Sequence, residues 1–303
     1  MSSRPFSVKQ TAPQERREEG VVLTPAQTDR FNVAERSRRA LADRARIKGL
    51  ACDGDGYFES AERNLVCADT WASIAQDLGG GAGSELSAEP PGRRPKFCAA
   101  HSSAALAVNT FAPWRDDAMG LEISGLTRFT GLRFEVPCSA GVRGTAPHLD
   151  VVAQSADTVL AIESKCTEFL TPKEAAFATA YQTIDDARKQ SSWFQFVTSP
   201  DVAAGFKHLD VGQLTKHYLG LANTFPEGRV VLLYLFWEPA NAGHRAFTSH
   251  RRELQKFADL VAGDRVEFSY HGYPELWNEW SQSDKPKTRD HATRLKDRYL
   301  VQI

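Results

Sequence analysis

The sequence predicts an α/β fold in which helices flank a central mixed β-sheet. Residues 147–166 read PHLDVVAQSADTVLAIESKC, two apolar runs of strand length separated by turn-forming residues, which is typical of a β-hairpin. Residues 230–237 (VVLLYLFW) are apolar on both faces, as in a central strand that is covered by helices. Segments with apolar residues at helical spacing lie between and after these strands, and they predict the flanking helices.

Composition places the chain among ordinary globular proteins, with 303 residues, 42% apolar and 25% charged. The formal net charge of −1 gives no global basic signature of a nucleic-acid-binding protein. Five cysteines without a CxxC pair indicate a reduced, cytoplasmic protein with no disulfide framework. No apolar run approaches the roughly 18 residues of a membrane span and the N-terminus is polar, so we expect neither a membrane segment nor a signal peptide.

The chain divides into an N-terminal polar arm with a basic helix, residues 1–50, and a larger domain, residues 51–303. Thr24 and Pro25 suit an N-cap followed by proline at the first helical position, and Gly49 suits the end of the helix. Its basic side chains are Arg36, Arg38, Arg39, Arg44, Arg46 and Lys48. A basic helix can contact a phosphate backbone or an acidic partner, although a solvated helix face is the commoner role. A second basic stretch, residues 285–298, could flank a DNA groove.

The central hairpin brings two carboxylates and a lysine to one edge of the predicted sheet. With Ala156 and Asp157 as the tight loop, Asp150 lies opposite Glu163, and Lys165 shares the face of Glu163 because side chains repeat every two residues. Two carboxylates at a cross-strand distance repel each other, and a divalent cation relieves this repulsion. The pattern therefore predicts a metal-ion hydrolysis site; the alternative is a surface hairpin whose charged residues face water.

The order Pro147-His148-Leu149-Asp150 followed by Glu163-Ser164-Lys165 resembles the motif of the PD-(D/E)xK nuclease superfamily, which has the restriction-endonuclease-like fold. One departure is that proline and aspartate are not adjacent here. The segments HSSAALAVN, LDVVA, IESK, QLTKHYLGL, LLYLFWEP and YPELW are similar to a bacterial family of predicted restriction-endonuclease-like proteins. This resemblance covers roughly residues 95–280 and implies a restriction-endonuclease-like core with a helical N-terminal extension.

The resemblance also implies roles for the hairpin residues. Asp150, Glu163 and the backbone carbonyl of Ser164 would bind Mg²⁺, with Mn²⁺ as a substitute. Lys165 would position the attacking water and stabilise the charge that develops on the phosphate.

Further site residues are expected on a helix and upstream of the hairpin. The superfamily often places a polar residue on the helix beside the active-site strands, and in the predicted helix 211–222 we choose Gln213 ahead of Lys216 and His217. An additional acidic residue often comes from upstream, where the candidates are Glu85, Glu122 and Glu135. The residues alone do not choose among them.

We therefore expect a Mg²⁺-dependent nuclease that hydrolyses DNA phosphodiester bonds in restriction or phage defence, with double-stranded DNA as the partner. A protein partner or a homo-oligomer is compatible with this prediction. One alternative is a nucleic-acid-binding or assembly subunit of a defence complex with little or no cleavage activity. Another is a metal-dependent phosphodiesterase that acts on RNA or nucleotides.

Two other segments carry local predictions. Asp53-Gly-Asp55-Gly-Tyr57 resembles the start of a calcium-binding loop, but the sixth loop position is Phe58 instead of glycine and the twelfth is Asn64 instead of glutamate. A turn that leads into a helix is predicted instead. Residues 171–190 predict a helix from the spacing of their apolar side chains.

Overall fold

A five-stranded mixed β-sheet forms the centre of the computed structural model, which describes residues 32–79, 85–87 and 92–303. The first three strands pair antiparallel and the last three pair parallel, so the order in the sheet follows the order in the chain. The strands are β1 (Gly131–Pro137), β2 (His148–Gln154), β3 (Thr158–Lys165), β4 (Arg229–Phe236) and β5 (Val266–Gly272). This sheet confirms the predicted α/β class, and β4 is the apolar central strand that was expected.

Helices cover both faces of the sheet. Helices α2, α3, α9 and α10 contribute to the hydrophobic cluster on one face, and α7 and α8 contribute to the cluster on the other. The α-helices within the described residues are α1 (Val33–Ile47), α2 (Trp71–Gly79), α3 (Ser103–Phe111), α4 (Asp186–Lys189), α5 (Gln195–Thr198), α6 (Pro200–Ala204), α7 (Val211–Thr224), α8 (Arg245–Val261), α9 (Tyr273–Trp280) and α10 (Pro286–Tyr299). None of these helices is long and apolar enough to cross a membrane.

The β2–β3 hairpin has the predicted register. Val151 pairs with Ile162 and Gln154 pairs with Val159, and extending this register by one residue places Asp150 opposite Glu163. Short connections of this kind set the register of a hairpin, and a shift by one residue would move every side chain to the other face. The hairpin prediction is confirmed.

Strand β1 is irregular at Glu135, which has a left-handed φ of 49° although it is not glycine. The pairs on either side of it place Glu135 opposite Asp150. Phe134 and Val136 pack into clusters on opposite faces of the sheet, whereas normal alternation would place both on one face. Non-glycine residues with such backbone conformations are concentrated at functional sites.

Helix α7 approaches the end of β1 closely near its C-terminus and is capped by an aspartate at its start. Near its C-terminal end, a Cβ at Gly220 would overlap the carbonyl oxygen of Cys138, so this close approach requires glycine. At its start, Oδ1 of Asp210 accepts the backbone N–H of Gln213 at 2.9 Å. The predicted helix over residues 211–222 is confirmed, and it lies against the residue that follows β1.

The predicted helix over residues 171–190 is wrong. The segment is irregular except for a 3₁₀ turn and the single turn of α4. The N–H of Lys173 donates to the carbonyl of Lys207 at 2.9 Å, so the start of this segment bonds to the loop before α7. Tyr181 and Ile184 are buried, which means that the apolar spacing identified core residues but not their conformation.

Side chains cap the starts of α1 and α8, and the predicted end of α1 at Gly49 is confirmed. Asn32 caps α1 by accepting the N–H of Glu35 at 3.0 Å, and the start predicted at residues 24–25 lies outside the described residues. Helix α8 is capped by His244, whose Nδ1 accepts the N–H of Ala246. Histidine is not a common N-cap residue, so its sequence signal is weak. Positive φ values at residues 49 and 263 follow α1 and α8.

Candidate active site

A cleft of about 620 Å³ lies at one end of β2 and β3. Strand β2 contributes one predicted site residue, β3 contributes three consecutive ones, and the first turn of α7 contributes another. All five predicted site residues line this cleft: Asp150, Glu163, Ser164, Lys165 and Gln213. The tertiary structure therefore brings together the side chains that the motif and the helix pattern had selected separately.

Glu163 is buried in the floor of the cleft with only 2% of its surface exposed. Its Oε1 lies 2.5 Å from Nζ of Lys165, and its Oε2 lies 2.9 Å from Nε2 of His217. Burial by itself would raise the pKa of Glu163, but Lys165 and His217 outweigh that effect and hold this pKa at about 2. Glu163 is therefore a carboxylate throughout the neutral pH range.

Lys165 is charged for the same reason. Burial would lower the pKa of its ammonium group, yet Glu163, Glu168 and Asp150 outweigh burial and raise this pKa above its usual value. An ammonium group donates hydrogen bonds and has no lone pair with which to accept a proton. Lys165 can therefore orient a water molecule or stabilise negative charge, but it cannot act as a general base.

Asp150 accepts the backbone N–H of Ser164 through Oδ2 at 2.7 Å. Burial raises the pKa of Asp150 well above its usual range, and the nearby charges of Glu163 and Glu135 act in the same direction. Glu135, Asp150 and Glu163 lie on three adjacent strands, so the site concentrates negative charge. Such a cluster is relieved by protonation or by a cation.

Ser164 connects the cleft to the helices behind the sheet. Its Oγ donates to the carbonyl of Ser103 in α3 at 3.0 Å and accepts from the hydroxyl of Tyr273 in α9 at 2.7 Å. This buried hydroxyl thus makes its hydrogen bonds to helices α3 and α9. The ligand group predicted for Ser164 is its backbone carbonyl, which these side-chain hydrogen bonds do not use.

Helix α7 supplies two residues to the site. Gln213 lines the cleft, and His217, one helical turn later, is buried against Glu163. Lys216 lies elsewhere, with Nζ 5.6 Å from the centre of the Phe177 ring. From the sequence, Gln213 was chosen for the site ahead of His217, which contacts Glu163 directly. Residues i and i+4 share a helix face, so the spacing of Gln213 and His217 could have indicated that both belong to the site.

Two of the three upstream glutamate candidates line the cleft, and the third does not. Glu135 and Glu85 line the cleft, whereas Glu122 is exposed near Lys285, whose Nζ is 3.9 Å away. Burial raises the pKa of Glu135 to about 7, and the charges of Glu85 and Glu163 add to this effect. Burial also raises the pKa of Glu85.

Few basic side chains reach the cleft. Arg38 of α1 lines it, with Nε 3.4 Å from Oγ1 of Thr167. Other basic residues of α1 form ion pairs outside it: Arg39 with Glu35, Arg46 with Asp43 and Lys48 with Asp297. Among the described lining residues none belongs to the basic stretch 285–298, which lies elsewhere. Among the described residues, five Asp or Glu side chains and three Lys or Arg side chains line the cleft.

Comparison with known proteins identifies the family. Residues 34–300 match the model of a family described as restriction endonuclease associating with ARP. The chain belongs to this family. No curated protein and no solved structure matches the chain.

A metal ion bound by this restriction-endonuclease family member would need ligands other than side chains, such as water, a backbone carbonyl or substrate oxygens. In the part of the chain that the structure describes, no group of three or more His, Cys, Asp or Glu residues could hold a metal ion. Mg²⁺ commonly uses one or two carboxylates together with water and substrate phosphate oxygens. Asp150 and Glu163, with a backbone carbonyl, fit that kind of ligand set and do not fit a closed structural metal site.

Glu135 makes the stability of this family member depend on pH. Its raised pKa means that the folded protein keeps a proton that the unfolded chain loses, so in EDTA the free energy of unfolding should fall as pH rises from about 4.5 to about 7. Glu135→Gln removes this loss, and we expect it to stabilise the protein by about 1–3 kcal/mol near pH 8 and negligibly near pH 4.

Urea unfolding of both proteins across this pH range measures the effect. The control is Glu122→Gln, which changes an exposed side chain. An equal difference between wild type and Glu135→Gln at all pH values would show that packing, and not ionisation, is responsible.

Proposed function

We propose that this protein is a metal-dependent nuclease of the PD-(D/E)xK type that hydrolyses DNA phosphodiester bonds. The observation that carries the proposal is the meeting of Asp150, Glu163 and Lys165 in one cleft, on the two strands of a hairpin. Membership of a restriction-endonuclease family and a mixed sheet covered by helices support the same class and a restriction-endonuclease-like core.

The residues of the cleft fit a bound Mg²⁺, with Mn²⁺ as its substitute. Asp150, Glu163 and the carbonyl of Ser164 would hold it, because they are oxygen ligands. Burial and then the charges of Glu163 and Glu135 raise the pKa of Asp150, and a cation would favour its charged form. When bound, the ion lowers the pKa of a coordinated water and stabilises charge on the scissile phosphate. The excess of carboxylates over basic side chains in the lining also means that a phosphate needs added positive charge to enter.

The chain's own residues have distinct tasks in this mechanism. Lys165 donates a hydrogen bond to the attacking water and stabilises negative charge on the phosphate. Its ion pair with Glu163 fixes its position, and His217 fixes the other oxygen of that carboxylate. Gln213, at the start of α7, can donate its amide hydrogens to a phosphate oxygen.

The family description suggests a protein partner. We propose that the nuclease works with the protein named ARP in that description, in a cytoplasmic restriction or phage-defence system. A homo-oligomer is compatible with this arrangement. Copurification of the two proteins, followed by measurement of the mass of the complex, would test it.

The direct test is cleavage of supercoiled, linear and single-stranded DNA with Mg²⁺ or Mn²⁺. We expect cleavage by the wild type that EDTA abolishes and that Lys165→Ala lowers by about 10²–10³-fold, the usual cost of losing a preorganised electrostatic group. Equal activity of wild type and variant would point to a contaminating nuclease and would refute the site. Retained DNA binding without cleavage on any substrate would favour a binding subunit.

A further inference from the structure

Part of the cleft wall does not come from the sheet. Tyr57, Lys96, Ala99 and His101 line the cleft and belong to the segment between α1 and α3. Tyr57 ends the Asp53-Gly-Asp55-Gly-Tyr57 sequence, which resembles a calcium-binding loop but lacks its later ligands. The proposed hydrolysis does not use this aromatic side chain.

The Asp53–Tyr57 segment is a turn that is closed by hydrogen bonds between its own residues. Oδ1 of Asp53 accepts the N–H groups of Asp55 at 2.9 Å and Tyr57 at 3.0 Å, and the N–H of Asp53 donates to the carbonyl of Tyr57 at 2.9 Å. Gly56 has φ +83°, and a Cβ there would lie 2.9 Å from Cβ of Ala42 in α1. The turn therefore requires its glycine and is pressed against a helix, which makes it rigid.

Backbone contacts tie this turn to the active-site strands. Tyr57 forms an antiparallel bridge with Ala99, and the N–H of Phe58 donates to the carbonyl of Cys98 at 2.8 Å. The chain then enters α3, where the carbonyl of Ser103 accepts the hydroxyl of Ser164. These hydrogen bonds connect Tyr57, through the start of α3, to the Glu163-Ser164-Lys165 stretch. They fix the position of its backbone relative to the site.

Tyr57 lines both the cleft and a second cavity of about 430 Å³. Arg94 lines that second cavity and not the cleft, and its guanidinium carbon lies 5.0 Å from the centre of the ring. Arg94 also pairs with Asp53 and Asp55. His101 meets the ring edge-on, with centroids 6.3 Å apart and planes at 83°. A cation that lines the second cavity thus contacts the ring, and Tyr57 also lines the cleft.

We infer that Tyr57 is a stacking platform for an unpaired nucleobase, so that the substrate strand enters the cleft single-stranded. This inference rests on the proposed nuclease function and replaces the expectation of an intact duplex in the cleft. Cavities of about 300–1,000 Å³ enclose ligands of small-molecule size, which corresponds to one or a few nucleotides. A fixed aromatic ring beside a phosphate-cleaving site can hold such a nucleotide by its base, and stacking of this kind contributes about 1–3 kcal/mol per base.

Binding to full-length protein carrying Lys165→Ala, which slows cleavage and keeps both carboxyl groups that would hold the metal, tests the inference by fluorescence anisotropy. The probes are a labelled single strand, an abasic strand of the same length and a blunt duplex, each with Mg²⁺. We expect the single strand to bind more tightly than either other probe. Tyr57→Ala should weaken its binding by about 5–100-fold, and Tyr57→Phe should keep it within about twofold, since phenylalanine also stacks.

Tyr270→Ala is the matched control, because Tyr270 lines a different cavity and should leave binding unchanged. Equal affinity of the parent protein for abasic and normal strands would overturn the inference without any tyrosine variant, so a folding defect cannot obscure the result. Equal weakening of both strands by Tyr57→Ala would also overturn it.

The two proposals fail separately. Metal-dependent cleavage that needs Glu163, without preference for strands that carry bases, would refute the stacking site and leave the nuclease function standing. Base-dependent binding through Tyr57 without cleavage would refute the nuclease function and leave the stacking site standing.

Discussion

Glu163→Gln is expected to lower metal-dependent DNA cleavage by at least about 10³-fold while the protein remains folded. Glutamine keeps the shape of the side chain, and its amide oxygen can still accept from Lys165. Its amide nitrogen would face Nε2 of His217, which can offer a lone pair in one neutral tautomer. The substitution removes the negative charge on which both metal binding and the Lys165 ion pair depend.

Single-turnover cleavage measures the loss, and thermal unfolding checks the fold. Glu163→Ala is less informative, because it also removes the oxygen that accepts from Lys165 and leaves a cavity in a buried site, so it costs more stability than Glu163→Gln. Glu122→Gln is the matched control, since Glu122 is an exposed upstream glutamate outside the cleft. Cleavage by Glu163→Gln within about tenfold of the wild type would rule out the proposed role of this carboxylate.

Asp150→Asn is expected to stabilise the metal-free protein and to abolish cleavage. The raised pKa of Asp150 shows that its charged form is unfavourable in this site, first because of burial and then because of Glu163 and Glu135. Asparagine removes the charge, and its Oδ1 can still accept the N–H of Ser164. In EDTA near pH 8 we expect a gain of about 1–3 kcal/mol, together with a loss of activity of at least about 10³-fold.

Mg²⁺ should reverse the order of stability. An ion that binds only the folded state stabilises it by about 2.7 kcal/mol when its concentration is 100 times the dissociation constant. Wild type should gain this stabilisation in calorimetric scans with Mg²⁺, and Asp150→Asn should lose most of it. A variant less stable than wild type in EDTA would mean that Asp150 contributes structurally and that its charge is compensated without a metal.

The sequence by itself predicted the parts of the site that depend on local rules. The register of the hairpin follows from its two-residue loop and from alternation, so Asp150, Glu163 and Lys165 could be placed together. The turn at Asp53 was also predictable, because aspartate and glycine favour such turns wherever they occur. Helix α7 and the apolar strand β4 followed from periodicity.

Only the tertiary structure decided which distant residues join that site. It selected Glu135 and Glu85 over Glu122, placed His217 against Glu163, and turned Tyr57 towards the cleft. Residues 171–190 have helical spacing but do not form one helix in the tertiary structure. The N–H of Lys173 donates to the carbonyl of Lys207 in the loop before α7 and not to a carbonyl of a preceding helical turn. These outcomes depend on contacts between segments far apart in the chain, and periodicity and turn propensity describe only neighbours along it.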